Sequence, residues 1–263
     1  MTLRVERFGD VIRLRMSSAG SRIAGMDVSA YVMRGVMIDT GFHRARGALG
    51  AAVRELGIRG AIITHWHEDH AGNVPLLAEL GVPLLVRDDT LEILRRSPAI
   101  QLYRRLVWGH PSALRADLVA FDADGLEMLH TPGHSADHQV IFDPSTRTLF
   151  SGDLWLGIRS RILHASEDPY QIVESLRRAA ALAPERMFDA HRGFVPDPVI
   201  ALEARADWLR DVLAEVERRV SEGWSDQLIV KRVLGGEERA AWASRGDYSR
   251  RNLVKAVRRH FNS

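Results

Sequence analysis

Three histidines and an aspartate fall within six residues, at His65-Trp66-His67-Glu68-Asp69-His70. Imidazole nitrogen and carboxylate oxygen are the ligand atoms that zinc, manganese and iron accept. In extended chain, residues i and i+2 face the same way. His65 and His67 can therefore grip one ion together. Asp69 and His70 come at the turn into a helix and can point at a second ion beside it. Three more candidates stand at the ends of predicted strands: His134 after Thr131-Pro132-Gly133, Asp153 after Ser151-Gly152, and His191 after Arg186-Met187-Phe188-Asp189-Ala190. Strand ends on a buried sheet are where loops commonly carry function. Gly133 and Gly152, one residue before two of these candidates, let the backbone turn sharply there. The chain has no cysteine, so thiolate nucleophiles, disulfides, Fe–S clusters and Cys-ligated zinc are excluded, and any metal site must use His and carboxylates.

The elements that must position these groups are legible in outline. Val11 to Met16 alternates apolar and basic residues, as a half-buried strand does. Val28 to Met33 and Val36 to Asp39 read as two strands joined by a tight Arg34-Gly35 turn. Residues 44–56 read as a helix closed by Gly57. Ala61-Ile62-Ile63-Thr64 is a short apolar strand of the buried kind, and it leads into the histidine cluster. Further strands are expected at 83–86, 126–130, 139–142, 148–151 and 186–190. Helices are expected from Pro75, at 88–96 and at 169–183. The stretch 97–111 reads as irregular, aromatic and basic. Within it, Leu102, Leu106 and Trp108 fit either the wall of an entrance or a helix packed on the body of the protein. After Pro198 the chain turns helical and densely charged, at 199–221, 226–234 and 249–260, with a short strand expected near Gly235-Gly236. The expected organisation is a catalytic domain over 1–198 and a helical extension over 199–263. Strands and helices alternating in two halves suit two stacked βα layers.

These residues carry a family resemblance. His65 to His70 matches the His-x-His-x-Asp-His signature of the metallo-β-lactamase superfamily. Ile38-Asp39-Thr40-Gly41, Thr131-Pro132-Gly133-His134-Ser135 and Ser151-Gly152-Asp153 are similar to its other motifs, in order, over about residues 5–195. The resemblance implies an α/β fold, a four-layer αββα sandwich with the metals at one edge of the two sheets. It implies two divalent ions, zinc foremost, with iron or manganese as alternatives. One ion would take His65, His67 and His134; the other Asp69, His70 and His191; Asp153 would bridge them. A hydroxide held between the ions would attack an ester, thioester or lactone carbonyl, with Asp69 as the catalytic residue orienting it. Asp39 would hold a histidine ligand or its loop in place. At the last motif the family's Gly-His-Gly is replaced by Ala190-His191-Arg192-Gly193, and the Arg192 charge either binds an anionic substrate or pairs with a local carboxylate. His138 has a supporting rather than a ligating role, and His164, shortly after Asp153, is a substrate-side candidate.

Two other activities fit the motifs. One is an endoribonuclease-like phosphodiesterase, with RNA held along the basic tail of Arg245, Arg250, Arg251, Lys255, Arg258 and Arg259. The other is a mononuclear iron oxidoreductase resembling the persulfide dioxygenases, using His65, His134 and Asp153 on one iron. The formal net charge of +2 does not demand a polyanionic partner. With no basic-then-apolar leader and no apolar run near ~20 residues, the expectation is a cytoplasmic enzyme of a small-molecule substrate, without membrane contact, and a homodimer through the tail. Loops 97–115 and 155–168 and the tail are expected to set substrate choice.

Overall fold

The computed structural model describes residues 1–96, 99–123 and 125–261. Residues 97 and 98 of the stretch read as irregular, and 262 and 263 of the extension, lie outside it. In chain order the elements are β1 (Thr2–Phe8), β2 (Val11–Ser17), α1 (Ala19–Ala24), β3 (Val28–Met33), β4 (Val36–Ile38), α2 (Arg46–Glu55), β5 (Gly60–Ile62), α3 (Val74–Glu79), β6 (Leu84–Leu85), α4 (Asp88–Arg96) and α5 (Leu102–Trp108). Then come β7 (Glu127–His130), β8 (Gln139–Asp143), β9 (Thr148–Phe150), β10 (Leu163–His164), α6 (Pro169–Ala181), β11 (Arg186–Asp189) and β12 (Gly193–Val195). The tail holds α7 (Pro198–Ser221), α8 (Asp226–Arg232), α9 (Arg239–Ala243), β13 (Tyr248–Ser249) and α10 (Arg250–Phe261). One sheet runs β1-β2-β3-β4-β5-β6, the other β12-β11-β9-β8-β7, and β10 pairs with β13 in a small third sheet.

The layers follow from the two-residue period of a strand. Tyr31, Met33, Val36, Ile38, Ile62, Ile141, Phe150 and Phe188 meet in a core between the two large sheets. Their neighbours Ala30, Val32, Met37 and Ala61 face the opposite way, onto α2 and α3. Val140, Phe142, Leu149 and Met187 likewise face α6, α7, α8 and α10. Each central strand is buried on both faces, which is why it reads as an unbroken apolar run. The result is an αββα sandwich. The core under the second sheet continues without a break from Ile172 and Leu176 of α6 to Leu202 and Leu209 of α7 and Leu253 and Val257 of α10.

Several local expectations are corrected. Leu102 to Trp108 is helical, but it does not pack Leu102 and Leu106 inward: these are 69% and 63% exposed. The face that is buried carries Arg104 and Trp108, the latter against Phe42. Arg104 goes inside because Glu68 waits there as a partner. No strand forms at Gly235-Gly236; the tail's short strand is β13, about a dozen residues later, and α9 precedes it. The Arg34-Gly35 turn has φ of 51° and 76°, the positive pair that a two-residue hairpin requires.

That turn also clamps the sheets together. Arg34 donates to Asp143 Oδ2 at 2.8 Å from the β8–β9 hairpin, where Ser145 and Thr146 also donate to the same carboxylate. Burial opposes the charge, but these donors hold the Asp143 carboxyl well below its ordinary 3.8. Its contribution is therefore present in full above pH ~4 and lost as acid protonates it below that. Asp143→Asn should cost about 2 kcal/mol at pH 7. In thermal melts the gap to wild type should narrow as pH falls below ~4; a gap that widens would show that another group carries the effect.

Candidate metal centre

All seven candidate ligands converge at one edge of the sandwich. β5, β9 and β11 deliver 63–70, Asp153 and His191 from their C-terminal ends, and the loop entering β8 delivers His134. The two sheets are stitched there: Gln139 N donates to Thr64 O and Gln139 Nε2 to Ile63 O, both at 2.9 Å. Ser29 N donates to Ala190 O at 2.8 Å. The ligand atoms fall into two groups, His65, His67, His134 and Asp153, and Asp69, His70 and His191.

The proton positions show what the site is built to hold. Thr64 Oγ1 sits 2.9 and 2.8 Å from the two Asp39 oxygens and gives its proton there, so it accepts from His65 Nδ1 at 3.0 Å. His70 Nδ1 donates to Asp39 Oδ2 at 2.8 Å, His134 Nδ1 to Glu167 Oε1 at 2.6 Å, and His191 Nδ1 to the Asp27 carbonyl at 2.9 Å. Fixing the proton on Nδ1 leaves each Nε2 with a lone pair. His65 Nε2 and His134 Nε2 both face His67 Nδ1, at 3.0 and 2.9 Å. One nitrogen cannot satisfy two such partners by hydrogen bonding, because it offers one proton or one lone pair. The Asp153 carboxylate divides between the groups: Oδ2 lies 3.4 Å from His134 Nε2, and Oδ1 lies 3.2 and 3.3 Å from His70 Nε2 and His191 Nε2. Asp69 Oδ2 lies 3.5 Å from His191 Nε2. His70 Nε2 and Asp153 Oδ1 are buried without a hydrogen bond. Converging lone pairs and orphaned buried atoms fit bound metal cations.

Charge differs across the site. Burial, reinforced by the neighbouring imidazoles, drives His65 well below its ordinary value and keeps it neutral. Burial opposes a charge on His191 too, but Asp153 and Asp69 outweigh it and raise its pKa to about 9. Against the same burial, carboxylates raise His70 and His134 as well, so protons compete with cations in both groups.

The supporting residues are as specific as the ligands. Asp39 has φ of 61°, a conformation that costs energy outside glycine and lets one carboxylate reach both Thr64 and His70. His138 Nδ1 is tied to Thr131, and its Nε2 accepts from Asp153 N at 3.1 Å. Arg192 Nε reaches the Leu156 carbonyl at 3.4 Å, and among the described residues its guanidinium pairs with no carboxylate. Four groups escaped sequence reasoning. Glu167 holds His134; Glu68 holds Arg104. Asp137 accepts from Trp66 N, Thr90 Oγ1 and Ser135 Oγ, tying the histidine loop to α4. Asp189 Oδ1 accepts from His191 N and Arg192 N and its Oδ2 from Leu156 N, so it links the loops that carry Asp153 and His191. Acidic residues at strand ends and loop corners are common enough that only folded proximity singles these out.

Gly152 places a strict demand on the backbone beside Asp153. Its φ is 52°, and a Cβ there would lie 2.7 Å from His138 Nε2 and 3.2 Å from Thr64. Gly152→Ala should therefore push His138 off the Asp153 amide. We expect a loss of about 2 kcal/mol of stability, together with weaker metal retention on dialysis. Unchanged retention would show that His138 does not set the Asp153 position.

Residues 24–221 match the metallo-beta-lactamase superfamily, and the chain belongs to it. The chain is 28% identical over 209 residues to the Beta-lactamase-like protein 2 homolog of Drosophila melanogaster, covering 72% of this chain and 69% of that one. It is 26% identical over 231 residues to the Atrochrysone carboxyl ACP thioesterase of Aspergillus fumigatus, covering 84% and 64%. The chain spans between about half and about two thirds of the length of such relatives. A metallo-beta-lactamase family protein from Thermus thermophilus superposes with a TM-score of 0.64 at 19% identity, over 95% of this chain and 91% of that one, which shows the shared fold.

Proposed function

We propose that the protein is a binuclear metallo-hydrolase that cleaves an ester, thioester or lactone at its acyl carbon. The observation that carries this reading is the division of Asp153 between two donor groups, with His65, His70, His134 and His191 held as Nε2 lone-pair donors. His65, His67 and His134 would hold one divalent ion, Asp69, His70 and His191 the other, and Asp153 both; zinc suits this N/O set. Bound ions would supply Lewis-acid polarisation of the scissile carbonyl and water acidified to near neutral pH. The chain's own part is positional. Asp69 keeps Oδ2 among the ligands and offers Oδ1 to orient the attacking water. Asp39, Glu167 and the Asp27 carbonyl keep the histidine protons on Nδ1 throughout. A filled second group supports two ions over the single-iron dioxygenase alternative. Thioester substrates come first because the Aspergillus relative is named a thioesterase.

No helix among the described residues is long and apolar enough to cross a membrane. Arg250 and Arg258 of the basic tail are spent on the Leu234 and Gly236 carbonyls and on Asp226. That leaves Arg245 and a short stripe of Arg251, Lys255 and Arg259, and it favours a small-molecule substrate over RNA.

The test is elemental analysis of protein purified without added metal, followed by thioester, ester, lactone and RNA panels. Two ions per chain with turnover of an acyl substrate is the expected result. One iron per chain with oxygen uptake, or cleavage of RNA alone, would replace this reading.

A further inference from the structure

The residues beyond the superfamily match return to the metal centre. β13 pairs with β10, and the register sets Tyr248 opposite His164. Buried Asn252 fastens this return, with Nδ2 within 3.0 Å of the Leu163, Gly246 and Asp247 carbonyls. Glu167 joins the small sheet to the centre. One of its oxygens takes the His134 Nδ1 proton, and the other accepts from His164 N at 2.9 Å.

His164 Nδ1 lies 2.7 Å from Ser166 Oγ and accepts from Ser166 N at 3.3 Å. A ring nitrogen that accepts a backbone N–H carries no proton, so the proton of a neutral His164 sits on Nε2. Burial, with the nearby Arg104 charge, lowers the His164 pKa and keeps the ring neutral. Yet Nε2–H is buried and has no partner among the described residues. The Tyr103 hydroxyl is also buried; it faces the Asp247 carboxylate without a hydrogen bond of good geometry. The Tyr248 ring stands between them, its centroid 5.0 Å from that of His164 and 6.4 Å from that of Tyr103. Burial raises the Tyr248 phenol well above its ordinary value. Arg104 opposes this, and Glu167, Asp69 and Glu68 add to it. Unsatisfied buried donors call for an acceptor.

We infer that His164, Tyr248 and Tyr103 form a donor wall that binds a second, uncharged oxygen of the acyl group, a keto oxygen beside the scissile carbonyl. This rests on the acyl-hydrolase reading above. The wall's donors are neutral. The Arg104 charge is cancelled by Glu68, and the carboxylates of Asp69, Glu167 and Asp247 nearby disfavour an anion. A site built to hydrogen-bond an oxygen discriminates against the analogue that lacks it.

The test compares 3-oxobutanoyl and butanoyl thioesters of N-acetylcysteamine on the zinc-loaded full chain. Wild type should favour the 3-oxo substrate by about 10- to 100-fold in kcat/KM, and His164→Leu and Tyr248→Phe should collapse that ratio. No preference in wild type, or an undiminished ratio in both variants, overturns the wall. A readout independent of turnover comes from 15N-histidine NMR. The His164 ring should be the Nε2–H tautomer, and its Nε2 signal should shift with 3-oxobutanamide but not with butanamide. A shift without turnover of either thioester would overturn the acyl-hydrolase reading and sustain the wall. A Nδ1–H tautomer or no shift would overturn the wall while turnover leaves the hydrolase reading standing.

Discussion

His67→Ala should lose at least one bound ion per chain and about three orders of magnitude in kcat/KM, while the protein stays folded. His67 Nδ1 is the atom on which both His65 Nε2 and His134 Nε2 converge, so its removal opens the first donor group at its centre. A bound ion acting as a Lewis acid supplies several kcal/mol of transition-state stabilisation, and each 1.36 kcal/mol is about tenfold in rate. The fold should survive because the rings meet at a sandwich edge, outside the three apolar clusters. Elemental analysis, turnover and far-UV circular dichroism on one preparation decide the matter. Full activity with one ion missing would sink the two-ion mechanism. Loss of the native circular dichroism would mean that His67 is structural instead.

Arg104→Ala should cost about 3–5 kcal/mol of stability, close to 10 °C in Tm for a chain of this size. The guanidinium meets Glu68 in a two-pronged pair, at 2.6 and 2.7 Å, and both side chains are buried. The Glu68 carboxylate holds Arg104 charged against the burial that opposes it. Removing one partner strands the other charge inside, and this costs far more than the pair itself is worth. Glu68 lies between His67 and Asp69, so the stranded carboxylate should also drag the ligand loop and lower metal occupancy. The double variant Arg104→Met with Glu68→Leu removes both charges and should regain most of the Tm. If the single and double variants melt together, the loss comes from packing of the α5 face and the pair is incidental.

The fold was legible wherever a strand is buried on both faces or a turn dictates its residues. Val28 to Met33, Val36 to Ile38, Gln139 to Phe142 and Arg186 to Asp189 are apolar runs because sheet and helices cover them from opposite sides, and Arg34-Gly35 announces its positive φ pair. α5 misled because a helix of seven residues can bury either of two faces, and a charged partner 36 residues away chose the one with Arg104. β13 and α9 left little trace, since a two-residue strand has too few positions to show a period.

The sequence by itself determined the donor types and their local spacing. His65 and His67 share a face through the i,i+2 rule, and the absence of cysteine confines any ion to nitrogen and oxygen. Tertiary structure decided the rest. The register of the two sheets brings Asp153 between His134 and His191 and lets it serve both groups. Proton placement on three of the histidines is set by oxygens distant in the chain, Asp39 for His70, Glu167 for His134 and the Asp27 carbonyl for His191. Local spacing cannot encode such pairs, because they form only once both sheets have stacked and the loops at their shared edge have closed.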